Sequence, residues 1–149
     1  MSIKGVLITG TVTAYLLVNT ILPFNSMAHM METEANNQGT IGKYLVGATV
    51  YRRAWESLIE GEYKTPKEHV ESPYQYAIDY NHKITGEDIL EDALIMTLAP
   101  ILAPIWPWDS FYNPQGTSFR HPGYTNNHVG WNSGVWIKFR DHLFWNQFK

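Results

Sequence analysis

The sequence contains no cysteine among its 149 residues. This absence excludes disulfides, zinc–thiolate sites, iron–sulfur clusters and thiol catalysis. The chain also has no Asn-x-Ser/Thr sequon, so nothing supports N-glycosylation. It has no run of basic residues, which leaves nucleic-acid binding without support.

Recognisable catalytic motifs are missing as well. Neither HExxH nor GxSxG occurs, and the pair Gly5 and Gly10 has no Lys-Ser/Thr behind it, as a phosphate-binding loop would require. The acids at positions 87, 88, 91 and 92 have an adequate explanation at a helix start. The histidines of the tail, at positions 121, 128 and 142, match no ligand spacing. We therefore expect a protein that is not an enzyme and has no catalytic, cofactor-binding or metal-binding residues.

Charge is absent from residues 5–24. A helix of this length, rising about 1.5 Å per residue, matches a hydrocarbon core of about 30 Å. The segment therefore predicts a single transmembrane helix. Its small residues recur at intervals of four, a spacing that allows close contact between helices in lipid. The predicted helix-packing residues are Gly5, Thr9, Gly10 and Thr13.

Lys4 is the basic residue that precedes this segment, and the first charges after it are acidic. The positive-inside bias then predicts that the amino terminus lies on the cytoplasmic or matrix side and that the rest of the chain lies on the opposite side of the membrane. We favour the mitochondrial inner membrane over a bacterial or virion membrane. The alternative is a secretory signal peptide, with Ser26 and Ala28 as the small residues before a cut after Ala28.

Beyond this segment the pattern favours helices. Residues 25–40 are polar and predict a connector, and residues 41–60 predict a helix that Gly61 ends. Thr85 followed by acids predicts the cap of a second helix. The apolar run at residues 93–108 is interrupted by prolines, which disfavour a spanning helix. Trp106 and Trp108 are therefore predicted to lie at a membrane interface.

Residues 111–149 combine turn-forming residues with many aromatic side chains. Loops of this length are uncommon inside compact domains, so we expect an extended arm that wraps a partner. Tryptophan and arginine dominate the energetics of protein interfaces. The predicted partner-contact residues are Trp131, Trp136, Arg140 and Trp145.

The expected fold is mostly α. An anchor helix at residues 1–24 and a connector at 25–40 precede a small helical body at 41–110 and an irregular aromatic tail at 111–149. In this architecture, though in no specific motif, the chain resembles small accessory subunits of large membrane assemblies such as respiratory complexes, and also membrane-associated virion proteins.

The resemblance implies a non-catalytic structural role, with the lipid bilayer and other subunits of a membrane complex as partners. Two alternatives remain open. One is an exported small enzyme or metal-binding domain that is released by cleavage after Ala28. The other is a binding module whose first segment belongs to its core.

Overall fold

The computed structural model describes residues 3–73, 75–112, 137–140 and 142–145, and it is mostly helical, as expected. Five α-helices lie in the described ranges: α1 (Ile3–Leu16), α2 (Phe24–Ala35), α3 (Gly39–Ile59), α4 (Pro66–Val70) and α5 (Gly86–Leu102). A π-helical turn (Leu17–Ile21) follows α1, and 3₁₀ turns follow α2 (Asn36–Gln38) and α5 (Ala103–Ile105). Three strands complete the described chain: β1 (Ser110–Tyr112), β2 (Ile137–Phe139) and β3 (His142–Trp145).

The predicted membrane anchor is not found. Every helix in the described ranges falls short of the length and apolar character that a bilayer crossing requires. Helix α1 has 14 residues and so spans only about 21 Å at the usual helical rise. The π-helical turn that follows is tied to the rest of the fold, because the buried Tyr51 hydroxyl donates a hydrogen bond to the Asn19 carbonyl. The prediction of a single-pass membrane location is therefore wrong.

Helix α2 occupies the segment for which the sequence predicted a connector. Its methionines Met27, Met30 and Met31 are fully buried and belong to the hydrophobic core. Unbranched methionine fills irregular gaps between helices well. Ser26 and Ala28, the residues of the alternative cleavage site, are also buried in this helix, so a cut after Ala28 would divide a core element.

Helix α3 lies at the centre of the fold and packs against both α2 and α5. The approach is close at Gly47, where an added Cβ would lie 2.9 Å from Met31 Sδ and 3.2 Å from Ile95 Cγ2. The helix ends at Ile59, and Gly61 follows with φ of 80°. A left-handed glycine is the usual helix end, so the predicted role of Gly61 is confirmed.

Helix α5 begins as the sequence predicted. The Thr85 hydroxyl accepts a hydrogen bond from the Asp88 amide, and the Asp88 carboxylate accepts one from the Thr85 amide, which forms a capping box. Pro100 lies inside the last turns of the helix. The chain then tightens into the 3₁₀ turn, whose carbonyls at Ala103 and Pro104 accept hydrogen bonds from Arg52 of α3 at 3.2 and 2.9 Å.

The strands form a small antiparallel sheet in the order β1-β3-β2. Phe144 of the central strand pairs with Phe111 on one side and Ile137 on the other. Its side chain is buried and joins the hydrophobic core. Arg53 ties β1 to α3, because its Nε donates to the Asp109 carbonyl at 2.5 Å and its Nη2 to Ser110 Oγ at 3.1 Å. The described part of the tail thus forms most of a small sheet that is attached to the helical body.

The close approach at Gly47 makes a testable prediction about stability. We expect Gly47→Val to lower the free energy of unfolding by about 1–3 kcal/mol, because the added side chain overpacks the contact with Met31 and Ile95. Gly86→Val is the matched control, since a Cβ there meets open space; its effect should stay within about 0.5 kcal/mol. Urea denaturation of both variants measures the difference, and equal effects would contradict the packing described.

Candidate functional site

Five charged side chains from three helices meet in the interior and form the first candidate site. Helix α2 contributes Glu32, helix α3 contributes Lys43, and helix α5 contributes Asp88, Glu91 and Asp92. We call these five residues the charge cluster. Glu32, Lys43 and Asp92 are buried, whereas Asp88 and Glu91 are partly accessible. Lysine and acidic residues are seldom fully buried unless they are paired.

The Lys43 ammonium lies at the centre of the cluster. Its Nζ is 2.6 Å from Glu91 Oε2 and 3.3 Å from Asp88 Oδ1, and it also contacts Glu32 Oε1. Burial opposes its charged form, but hydrogen bonds to Glu32 and Glu91, together with the charges of Glu32 and Asp92, outweigh burial and raise the pKa of Lys43. The ammonium therefore stays charged and holds α2, α3 and α5 together.

Asp88 and Glu91 are stabilised as anions. Hydrogen bonds from the Thr85 hydroxyl and amide, with a smaller contribution from Lys43, lower the pKa of Asp88 to about 2. Hydrogen bonds from Lys43 and from the Thr40 hydroxyl lower the pKa of Glu91. Both carboxylates consequently carry full negative charge at neutral pH.

Asp92 is the exception in the cluster. Its side chain is 0 % exposed, and neither carboxylate oxygen has a hydrogen-bond partner among the residues that the structure describes. Burial, reinforced by the charge of Glu32 and opposed by that of Lys43, raises the pKa of Asp92 to about 7. A buried carboxyl with a strongly raised pKa and a specific charged neighbour is a candidate functional group.

The cluster offers oxygen ligands to a cation. One carboxylate oxygen each from Glu32, Glu91 and Asp92 lies within 4.8 Å of the other two. Hard divalent cations are bound by oxygen donors of this kind. The same carboxyls also form a proton site, because only Lys43 balances their combined charge within the cluster.

An exposed apolar stripe on the opposite side of α5 is the second candidate site. It continues into the 3₁₀ turn and consists of Leu90, Leu94, Leu98, Ile101 and Ile105, all exposed. Leu90 and Ile105, at its two ends, are 74 % and 78 % exposed. We call these five residues the apolar face. Single exposed leucines are ordinary on protein surfaces, whereas a contiguous row indicates an interaction site.

The end of α1 and the π-helical turn pack beside the apolar face. Thr97 contacts this part of the chain twice: its carbonyl accepts a hydrogen bond from the Tyr15 hydroxyl at 2.9 Å, and its hydroxyl lies 3.5 Å from that of Thr20. Residues three or four positions apart lie on the same side of a helix. Leu94 and Ile101 therefore lie on the same side of α5 as Thr97, beside this contact.

The two tryptophans predicted at a membrane interface lie in an aromatic cluster. Trp106 packs edge-on against Trp108, with ring centroids 5.2 Å apart, and against Tyr44 at 5.7 Å. Trp108 also contacts Phe144 of the sheet. Both indoles are half-buried, and within the described ranges their Nε1 atoms have no hydrogen-bond partner. These contacts attach the sheet to α3; an interface role for the two rings stays a prediction.

The predicted partner-contact residues are only partly placed. Trp131 and Trp136 lie outside the described residues. Arg140 is exposed in the turn between β2 and β3 with φ of 49°, and its Nη1 donates to the Asn37 carbonyl at 3.3 Å. Trp145 belongs to β3 and pairs with Ser110. Partner contact by these residues remains a prediction.

The predicted helix-packing residues all belong to α1. Gly10 and Thr13 are exposed, and a Cβ added at Gly10 would meet open space. Gly5 and Thr9 precede them on the same helix. Among described residues, the side of α1 that carries Gly10 is uncovered, so packing against another helix there stays a prediction.

The charge cluster is what the sequence interpretation missed. The acids of α5 were assigned to a helix start, which accounts for Asp88 but not for Asp92. Asp92 lies on the same helical stripe as the buried Ile95, Met96 and Ala99, at spacings of three, four and seven. An acid within an apolar stripe was the available signal, since such a side chain points into the core.

Comparison of the chain with protein-family models, with curated proteins and with solved structures finds no match. The charge cluster and the apolar face are therefore the two features of the described chain from which a function can be inferred.

The raised pKa of Asp92 predicts how stability depends on pH. Between about pH 4 and pH 7 the folded chain keeps a proton on Asp92 that the unfolded chain has lost, so this group makes the free energy of unfolding fall as the pH rises. The slope approaches about 1.4 kcal/mol per pH unit within this window. An asparagine side chain cannot titrate, so we expect Asp92→Asn to become more stable relative to the wild type as the pH rises to about 7, and the difference to be constant above it.

Urea denaturation across this pH range, in buffer with EDTA, measures the difference between the two chains. Subtracting the unfolding free energy of one chain from that of the other removes the contribution of groups common to both. His69 is one such group; burial and nearby cations lower its pKa to about 4. The groups that face Asp92, namely Glu32, Lys43, Asp88 and Glu91, also remain in both chains. A difference that does not change with pH would contradict the assignment.

Proposed function

We propose that this protein is a non-catalytic structural subunit of a larger protein assembly, and that it docks on its partner through the apolar face. The observation that carries the proposal is the row of exposed leucine and isoleucine side chains along α5. The proposal keeps the structural role inferred from the sequence and omits the spanning anchor. It assigns the contact to a different surface from the predicted tryptophans of the tail.

The spacing of the apolar face favours a helix as the partner element. Its residues follow one another at steps of four, four, three and four positions. Steps of three and four keep these side chains on one side of the helix, where a second helix can pair with them lengthwise. From Leu90 to Ile105 the row covers about 22 Å at the helical rise, or about four turns. A partner helix of similar length would cover it, as in helix-in-groove recognition.

Charge beside the apolar face indicates the chemistry of that helix. Glu87 is exposed at the start of α5, three positions before Leu90 and therefore on the same side. The middle of the chain, residues 25–110, has six basic against thirteen acidic residues. We therefore expect an amphipathic helix whose apolar side covers the face and whose lysine or arginine residues lie near Glu87.

The test compares two double variants. Leu94→Gln with Ile101→Gln removes two apolar side chains from the face; Leu58→Gln with Ile59→Gln removes two equally exposed side chains at the end of α3. Exposed substitutions of this kind change stability by about 0.5 kcal/mol or less. We expect the first pair to lower the amount of bound partner at least tenfold, since central apolar contacts dominate such interfaces, and the second pair to leave it unchanged.

The partner is identified at the face itself. A photo-crosslinking amino acid at position 94 or 98, in the full chain expressed in its native cells, should form products with one protein. Mass spectrometry should locate them on an apolar helical segment with adjacent basic residues, and the same label at position 59 should give none. Three results would overturn the proposal: crosslinks between copies of this chain, flotation with phosphatidylcholine–phosphatidylserine vesicles that the face variants abolish, or equal partner recovery in both double variants.

A further inference from the structure

We propose that the charge cluster binds one hard divalent cation, with carboxylate oxygens of Glu32, Glu91 and Asp92 as its protein ligands. This site lies between α2 and α5, on the side of α5 away from the apolar face. The inference does not depend on the docking role.

The positions of the three oxygens fit such an ion. They lie within 4.8 Å of one another. An octahedral ion of the Mg²⁺ type, with ligands at about 2.0–2.1 Å, places its oxygens roughly 3 Å apart when adjacent and roughly 4 Å apart when opposite. Small rotations of the three side chains therefore suffice to bring the oxygens to bonding distance.

Asp92 is the observation that distinguishes this site from an ordinary acidic patch. It is completely buried, it has no hydrogen-bond partner among the described residues, and one of its oxygens lies within 4.8 Å of an oxygen of Glu32 and of Glu91. A buried carboxylate without a partner is unfavourable. A cation at this point would provide the missing partner.

The charge balance of the cluster points in the same direction. Four carboxyls surround a single ammonium, Lys43, which is bonded to Glu32, Asp88 and Glu91 but not to Asp92. A divalent ion beside Asp92 supplies two further positive charges. Lys43 can then retain Asp88, at 3.3 Å, as its own anion.

The donor set determines the class of metal. All three proposed ligands are carboxylate oxygens, and the chain has no cysteine. Oxygen donors of this kind suit Mg²⁺, Mn²⁺ and Ca²⁺, whereas thiolate and thioether ligands select Cu(I) and zinc. We therefore choose Mn²⁺ as the probe, with Mg²⁺ and Ca²⁺ as competitors.

The first experiment titrates the full-length chain with Mn²⁺ and follows the free ion by electron paramagnetic resonance. We expect saturable binding of one Mn²⁺ per chain, displaced by Mg²⁺ or Ca²⁺. Asp92→Asn should weaken the affinity at least tenfold. Glu60→Gln is the matched control, because it removes one negative charge from an exposed position at the end of α3 and should leave the affinity unchanged within about twofold.

A second variant separates cation binding from a purely structural cluster. Lys43→Gln removes the competing ammonium, so we expect it to bind Mn²⁺ at least threefold more tightly than the wild type. Its thermal unfolding temperature should rise more on addition of Mn²⁺. A purely structural cluster would instead give an unstable variant that Mn²⁺ does not restore. Glu91→Gln, at a partly accessible position, replaces Asp92→Asn if that variant does not fold.

Three results would overturn the proposal. The first is a Lys43→Gln variant that Mn²⁺ does not stabilise. The second is non-saturable binding of Mn²⁺ by the wild type, in which bound ion rises in proportion to free ion, as weak attraction by surface charge alone gives. The third is equal affinity in the wild type and in the folded ligand variant, together with no increase in Lys43→Gln.

Discussion

The fold depends on one buried cation. Lys43 projects from the central helix α3, and its ammonium bonds to carboxylates of α2 and α5. Removal of one partner from a buried ion pair commonly costs about 3–5 kcal/mol, because the other charge stays buried without compensation. Hydrophobic packing alone would allow these helices to slide or rotate, since methionine-rich contacts adapt to several arrangements. The directional contacts of Lys43 fix which sides of α2 and α5 face the core, and they thereby fix which side of α5 is exposed.

Helix α5 has two distinct sides as a result. One side carries Asp92 and the buried residues that follow it, and the other carries the apolar face. A helix that is apolar on both sides is normally covered on both. Among the described residues, α3 and α2 cover the inner side, and the π-helical turn covers part of the outer side. The apolar face and the charge cluster therefore share a single helix.

Several features of the fold followed from local sequence, because their causes are local. The mostly helical character, the capping of α5 by Thr85 and the end of α3 near Gly61 each depend on residues within a few positions. The role of residues 25–40 did not follow, since polar residues outnumber the methionines there and conceal their helical spacing. The charge cluster was also missed. Charged residues such as Lys43 and Asp92 are typical of a protein surface, and only the packing of three helices brings them together in the interior.

The sequence by itself determined the local elements and excluded thiol chemistry, because helix caps, helix ends and the absence of cysteine need no knowledge of distant contacts. Only the tertiary structure decided what the uncharged first segment does. An uncharged run of suitable length is compatible with a bilayer crossing, but the regular helix ends at Leu16, and Tyr15 and Asn19 bond to α5 and α3. The tertiary structure also decided which apolar residues belong to the core and which form the apolar face. Burial is a property of the whole packing, and sequence spacing gives the sides of a helix without saying which side is covered.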